Sequence, residues 1–394
     1  MFSQPVFNAK KKETSFIKLL DTNATLTDFR FSQIKTTLEN PLFWKIVDNQ
    51  TGDIVKSGEI VNGSQGDAFS TDLSGTSGNC ALYVSEGNGI YEITGYWNKT
   101  KPTTFNFDAV PNLQTVKSFY MTNVGVLFYG SPSNLISFHV ASGSCTNLDL
   151  SESATTLVSL HAQVTSRINV DLFTELTYLN VDYDQASFDL ANHKKLTSIN
   201  YKLDSGIVDS RLNCTFLPAL TQLILVDIPL QDINTTIRDF SKLTSLTIKC
   251  NDIIFSNLSA LTYLNLDGYD FNGMFSGLSS LKTLNLDLWG VKANLNFSGL
   301  TALTQFDAKY MPSSVTSLDL KPLTALKIFT LNYSSAPTVA TIDIKNGLNT
   351  QITRFQSKYS YSPRNVIVDN PVAANAELAP YTTNIWSMWN NSYS

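Results

Sequence analysis

The sequence predicts a mainly β protein: a solenoid of about twelve turns preceded by a small β-sandwich-like domain. Three observations predict it. A short apolar unit recurs in phase through the last two-thirds of the chain, and no 3.6-residue period runs between its copies. The third is composition. The 394 residues are 43% hydrophobic but only 15% charged, against the ~25% usual for globular chains. Asn, Ser, Thr, Asp and Tyr supply the polarity. The net charge of −5 and the lack of a basic block exclude a nucleic-acid surface. No run reaches the ~20 apolar residues that span a bilayer. Lys10-Lys11-Lys12 reads as a solvated terminal face.

Residues 1–103 read as a separate β module that caps the solenoid or anchors the chain to a larger assembly. The N-terminal stretch has no signal-peptide pattern, since its lysines follow Phe7 instead of preceding an apolar run. Phe43–Val47 and Ile54–Val61 flank the turn Asp48-Asn-Gln-Thr-Gly52, which predicts a hairpin. Ala81–Val84 and Ile90–Ile93 flank Glu86-Gly-Asn-Gly89, which predicts a second. Gly/Ser/Asn stretches at 62–66 and 74–79 are loops. Cys80, Cys145, Cys214 and Cys250 lack metal-type spacing and are expected as buried thiols.

Residues 104–358 carry the repeat. FSNLSALTYLNLDG begins at Phe255, FSGLSSLKTLNLDL at Phe275 and FSGLTALTQFDAK at Phe297. The same unit recurs from Phe107, Val170, Leu190, Cys214, Ile237 and Leu320. Its anchors are Leu113, Leu135, Leu157, Leu176, Leu196, Leu220, Leu243, Leu261, Leu281, Leu303, Leu326 and Ile352, spaced 18–26 residues apart. Each L-x-x-L-x-L predicts a short strand with alternate residues turned inward. One turn cannot bury its apolar side alone, so stacked turns share one core. Extended or turn-like returns are expected on the opposite side. Residues 359–394 are expected to cap the end, with Trp386 and Trp389 packing on the last turn or meeting another subunit.

This L-x-x-L-x-L spacing resembles the leucine-rich repeat family. The family's Asn or Cys, which ties adjacent turns together, is largely missing: its slot holds Gly143, Thr165, Asp184, Asp204, Ile228, Asn251, Tyr269, Trp289, Met311 and Ser334. Tyr269, Trp289 and Met311 then either fill the core edge or form an apolar strip. The run from Ser317 to Leu326 is similar to surface repeat proteins of Bacteroidetes bacteria. That resemblance, without a signal peptide, implies a bacteriophage virion protein at the virion surface or outside a cell.

Little in the sequence points to catalysis. His193 occupies an apolar slot, where a hydrogen-bonded core histidine is expected. His139 and His161 lie one turn apart and should be neighbours on the exposed sheet face, a pair suited to metal or pH sensing. No metal or cofactor is expected. Asp182, Asp267, Asp287 and Asp307 face outward near strand ends; Asp267 and Asp287 are equivalent in successive turns and repel unless a cation or donor bridges them.

The outward slots carry Tyr178, Asn180, Asp182, Asn200, Lys202, Lys249, Tyr263, Asn265, Asp267, Asn285, Asp287, Asp307 and Lys309. Such a face either is merely solvated or recognises sugars and polar protein loops. The functional expectation is a non-enzymatic virion spike or receptor-binding component. It would contact a host cell-surface glycan or protein and meet other virion proteins through residues 1–103, with a homo-oligomer compatible. Alternatives are a bacterial surface adhesin, a structural capsid or tail decoration protein and, last, a glycan-processing enzyme.

Overall fold

The computed structural model describes residues 15–22, 28–36, 41–60, 69–72, 79–96, 102–119, 126–146, 148–164, 169–183, 188–203, 212–213, 217–226, 240–249, 255, 257–269, 275, 277–289, 295–311, 314–332, 339–345, 347, 354–358 and 365–367. They are mainly strands, and the helical segments among them are single 3-10 turns such as Gly87–Gly89 and Val170–Leu172. The chain divides into two compact units, Met1–Ile168 and Asn169–Ser394. The first three leucine anchors therefore belong to the first unit and the remaining nine to the second.

In the first unit Leu42–Asp48 and Ile54–Ile60 pair antiparallel, as their alternation and turn predict. Leu42, Trp44 and Ile46 are buried on one face, and the Gly52 amide closes the turn onto Asp48 O at 2.8 Å. The second expected hairpin does not form. Cys80–Val84 instead pairs with Ile17–Thr22 and Leu42–Asp48. Ile90–Tyr96 pairs antiparallel with Asp28–Thr36 and parallel with Thr115–Phe119. The cause is the connection: Gly87–Gly89 winds into a 3-10 turn against Ala109, and Ala81, Leu82, Glu92 and Ile93 are buried on opposite faces of their strands.

Two ladders result. One runs through Ile54–Ile60, Leu42–Asp48, Cys80–Val84, Ile17–Thr22, Pro102–Asn106 and Val126–Tyr129. The other runs through Phe69–Asp72, Asp28–Thr36, Ile90–Tyr96, Thr115–Phe119, Ser137–Thr146 and Ser159–Val164. The strand Ser137–Thr146 joins them, pairing through its first half with Thr115–Phe119 and through its end with Val126–Tyr129. Phe105, Phe107, Phe128 and Phe138 pack together with ring centroids 5.2–6.0 Å apart.

The second unit is the solenoid. Its parallel ladder runs through Tyr178–Tyr183, Ser198–Leu203, Gln222–Val226, Ser245–Lys249, Tyr263–Tyr269, Thr283–Trp289, Gln305–Lys309, Ile328–Asn332 and Arg354–Lys358. Each strand begins two residues after its anchor. Nine strands make this ladder, and among the described residues about seven turns of solenoid are supported, fewer than the twelve anchors. Three anchors lie in the first unit, and several return segments fall outside the described residues. Leu179, Ile199, Leu223, Leu246, Leu264, Leu284, Phe306 and Phe329 form one inward row, none more than 1% exposed.

The return side is extended, as expected. Ser317–Asp319, Thr341–Asp343 and Asn365–Ile367 form a short parallel sheet. Asp189, Asn296, Asp319 and Asp343 each accept a bond from the backbone amide two residues on, which turns the chain back toward the ladder. Phe255, Phe275 and Phe297 stack with nearly parallel rings, 6.1 and 5.8 Å apart. His193 is fully buried, with Nε2 at 2.9 Å from Val170 O.

A threonine ladder takes the place of the sparse Asn ladder. Thr197, Thr221, Thr244 and Thr262 each follow an anchor leucine. Their Oγ1 atoms donate at 2.9–3.1 Å to the carbonyls of Thr177, Thr197, Thr221 and Thr244 in the preceding turn. Backbone amides of two successive residues bond the same carbonyls. The repeated Leu-Thr dipeptide was the signal for this ladder in the sequence.

Met311 is buried; the side chains of Tyr269 and Trp289 lie outside the described residues, as do Asn251 and the segment with Trp386 and Trp389. Cys80 is buried, whereas Cys214, Cys250 and the Cys145 side chain are outside the described residues. No helix among the described residues is long and apolar enough to cross a membrane.

Candidate functional site

The register of the ladder fixes which outward residues meet. On the outward face Asn265 lies beside Asn285, Asn285 beside Asp307, Lys249 beside Asp267, Asp267 beside Asp287 and Asp287 beside Lys309. The carboxylate pair expected to repel is thus real in register, and a lysine flanks it on either side. Neighbouring strands are about 4.8 Å apart, so each charge has an opposite one within Coulombic reach.

Asn265, Asp267, Asn285, Asp287, Asp307 and Lys309 line a hollow of about 350 Å³ whose wall includes Leu286. Its groups are held by neighbours. Asn285 Nδ2 donates to the Tyr263 hydroxyl at 3.0 Å, and Gln305 Nε2 donates to Asp307 Oδ2 at 2.5 Å. Asn285 Oδ1 is buried without a hydrogen-bond partner among the described residues. An amide with one end tied and the other unsatisfied is an acceptor awaiting a donor.

The remaining face residues stand apart. Tyr178, Asn180, Asn200 and Lys202 lie on Tyr178–Tyr183 and Ser198–Leu203, where Asn180 pairs in register with Asn200. The Asp182 side chain is outside the described residues. The next strand, Gln222–Val226, turns half-buried Ile224 and Val226 outward. Ile224 and Val226 thus interrupt the polar face between these two strands and the hollow. Lys249 and Tyr263 border that hollow without lining it.

The histidine pair lies in the first unit. His139 and His161 are in register, with ring centroids 5.9 Å apart, and His139 Nε2 lies 2.6 Å from Ser159 Oγ. Lys117 is the register neighbour on the other side, and its ammonium is 3.8 Å from Glu92, which also pairs with Lys35 at 2.9 Å. Burial, then His161, then Lys117 hold the His139 imidazole below its ordinary value. No group of three or more His, Cys, Asp or Glu residues suited to a metal occurs among the described residues.

Below pH ~6.5 the unfolded His139 takes a proton more readily than the folded one, so stability falls as the pH drops through the folded value. The thermal midpoint of the first unit should decrease from pH 7.5 to pH 5.5, and His139→Gln should shrink that decrease. An unchanged pH dependence in the variant would contradict the assignment.

Fold and face together define a β-solenoid with a partly neutralised polar hollow on its exposed sheet. Comparison with known protein families and with curated proteins gives no match. Among solved structures, the functional domain of InlJ from Listeria monocytogenes, described as including a cysteine ladder, is similar over 73% of this chain and 70% of that one. The two are 15% identical, with a TM-score of 0.37.

Proposed function

We propose that the chain is a non-enzymatic recognition protein that engages a glycan or protein on a target cell. The contact is made through Tyr263–Tyr269, Thr283–Trp289 and Gln305–Lys309. The observation that carries this reading is the hollow, where six polar side chains from three strands converge and one buried acceptor is left unsatisfied among the described residues. Bare solvation would need neither convergence nor a buried acceptor. The rigid ladder beneath holds the groups in place, which limits the ordering cost of binding. The setting we infer is a virion surface, with the first unit meeting other virion proteins; display as a bacterial adhesin would use the same face.

The test is attachment of the labelled full chain to a panel of bacterial cells. Replacing Asn265, Asp267, Asn285 and Asp287 together by alanine should lower attachment at least tenfold while circular dichroism stays unchanged. Changing Asp319, Lys321 and Asp343 on the return side should leave attachment intact. Equal attachment by the four-residue variant would refute the reading. Shortened polysaccharide chains after incubation would refute its non-enzymatic part.

A further inference from the structure

Building on the recognition face, we infer that the hollow takes a neutral sugar unit, recognised through adjacent hydroxyl groups. Size is the first argument. About 350 Å³ lies at the lower end of the ~300–1,000 Å³ range of small-ligand sites, enough for one or two sugar rings of a longer chain.

Charge is the second. The lining carries three carboxylates and the Lys309 ammonium, and Lys249 at the border offsets one carboxylate more, so a single negative charge is left around the hollow. A phosphate, sulfate or carboxylate ligand would face three carboxylates. A divalent cation would share the hollow with the Lys309 ammonium, which repels it. A ligand without formal charge meets neither penalty.

Hydrogen-bond inventory is the third argument. The three aspartates are acceptors only, and the Asn285 amide gives one N–H to Tyr263 while its buried oxygen has no donor among the described residues; against these acceptors stand the amide N–H groups of Asn265 and Asn285 and the Lys309 ammonium. The lining therefore calls for a ligand rich in O–H donors. Vicinal hydroxyls fit, because one can donate to the Asn285 oxygen while its neighbour donates to a carboxylate of the adjoining strand. Lys309 supplies a donor for a hydroxyl or ring oxygen. Among the described residues, the lining is made of amides, carboxylates, an ammonium and Leu286.

The test is electrophoresis of the full chain in native gels containing dextran, mannan, galactan, or polysaccharide stripped from the cells to which it attaches. Heparin and dextran sulfate serve as anionic counterparts. At least one neutral polymer should retard the chain. Periodate, which cleaves vicinal diols, should abolish that retardation. Asn285→Ala and the near-isosteric Asp287→Asn should each weaken it at least tenfold without altering circular dichroism. Retardation only by anionic polymers, by no polymer, or equally by periodate-treated polymer would overturn the inference. If the four-residue variant loses cell attachment while no neutral polymer retards the chain, the sugar assignment fails and the face stands. If that variant attaches normally, the face itself fails.

Discussion

Phe275→Ala should destabilise the solenoid by about 3–5 kcal/mol, the cost of emptying a large aromatic site that cannot collapse. Phe275 is 0% exposed and is stacked between Phe255 and Phe297, with interplanar angles of 13° and 4°. Both neighbours lose a ring face at once, and the rigid backbone ladder opposite prevents the turns from closing the gap. Phe275→Leu refills most of the volume and should cost less than half as much. Urea unfolding read by circular dichroism distinguishes the two. Because repeats contact mainly their neighbours, damage should be centred on the adjoining turns, with limited proteolysis reporting cleavage there first. A loss below about 1 kcal/mol for the alanine variant would mean that the stack contributes little.

Gly87→Ala should be the most damaging single-methyl addition in the first unit. A Cβ at Gly87 would stand 1.5 Å from the Ala109 carbonyl oxygen and 2.8 Å from its carbon. The obstacle is backbone, so the chain must shift at the turn that sends Cys80–Val84 and Ile90–Tyr96 into different ladders. Overpacking typically costs ~1–3 kcal/mol, and this site should reach or exceed the upper end. Gly277→Ala is the control. Its φ of +85° strains an alanine, but a Cβ there meets nothing within 4 Å, so about 1–2 kcal/mol is expected. A Gly87→Ala variant whose thermal midpoint is no lower than that of Gly277→Ala would contradict the packing described for the turn.

The repeat region was legible because its order is local and periodic. Each anchor leucine marked a strand two residues on, and once the register was known, Asp267 beside Asp287 and His139 beside His161 followed directly. Parallel stacking turns sequence spacing into spatial neighbourhood. The first unit lacked that rule. Alternation in Cys80–Val84 and Ile90–Tyr96 marked strands, but their partners lie as far away as Ile17–Thr22 and Asp28–Thr36. A plausible turn between two strands does not make them a pair when both faces of each are to be buried.

The candidate site was legible as residue types but not as a shape. Listing outward slots gave one long polar face, because Ile224 and Val226 were not weighed among them. The hollow depends on side-chain reach at three strands, on Gln305 holding Asp307 and on Tyr263 holding Asn285. Those are packing facts with no period. The threonine ladder was visible as repeated Leu-Thr, yet its meaning required seeing each hydroxyl reach back to the previous turn.

Carbodiimide labelling of carboxylates, compared between the free chain and the chain bound to cells, tests recognition through the solenoid face most directly. Asp267, Asp287 and Asp307 should be protected in the bound state, while Asp189 and Asp319 on the return side should label as before. Equal labelling of the three face aspartates in both states, or protection confined to the first unit, would contradict recognition through this face.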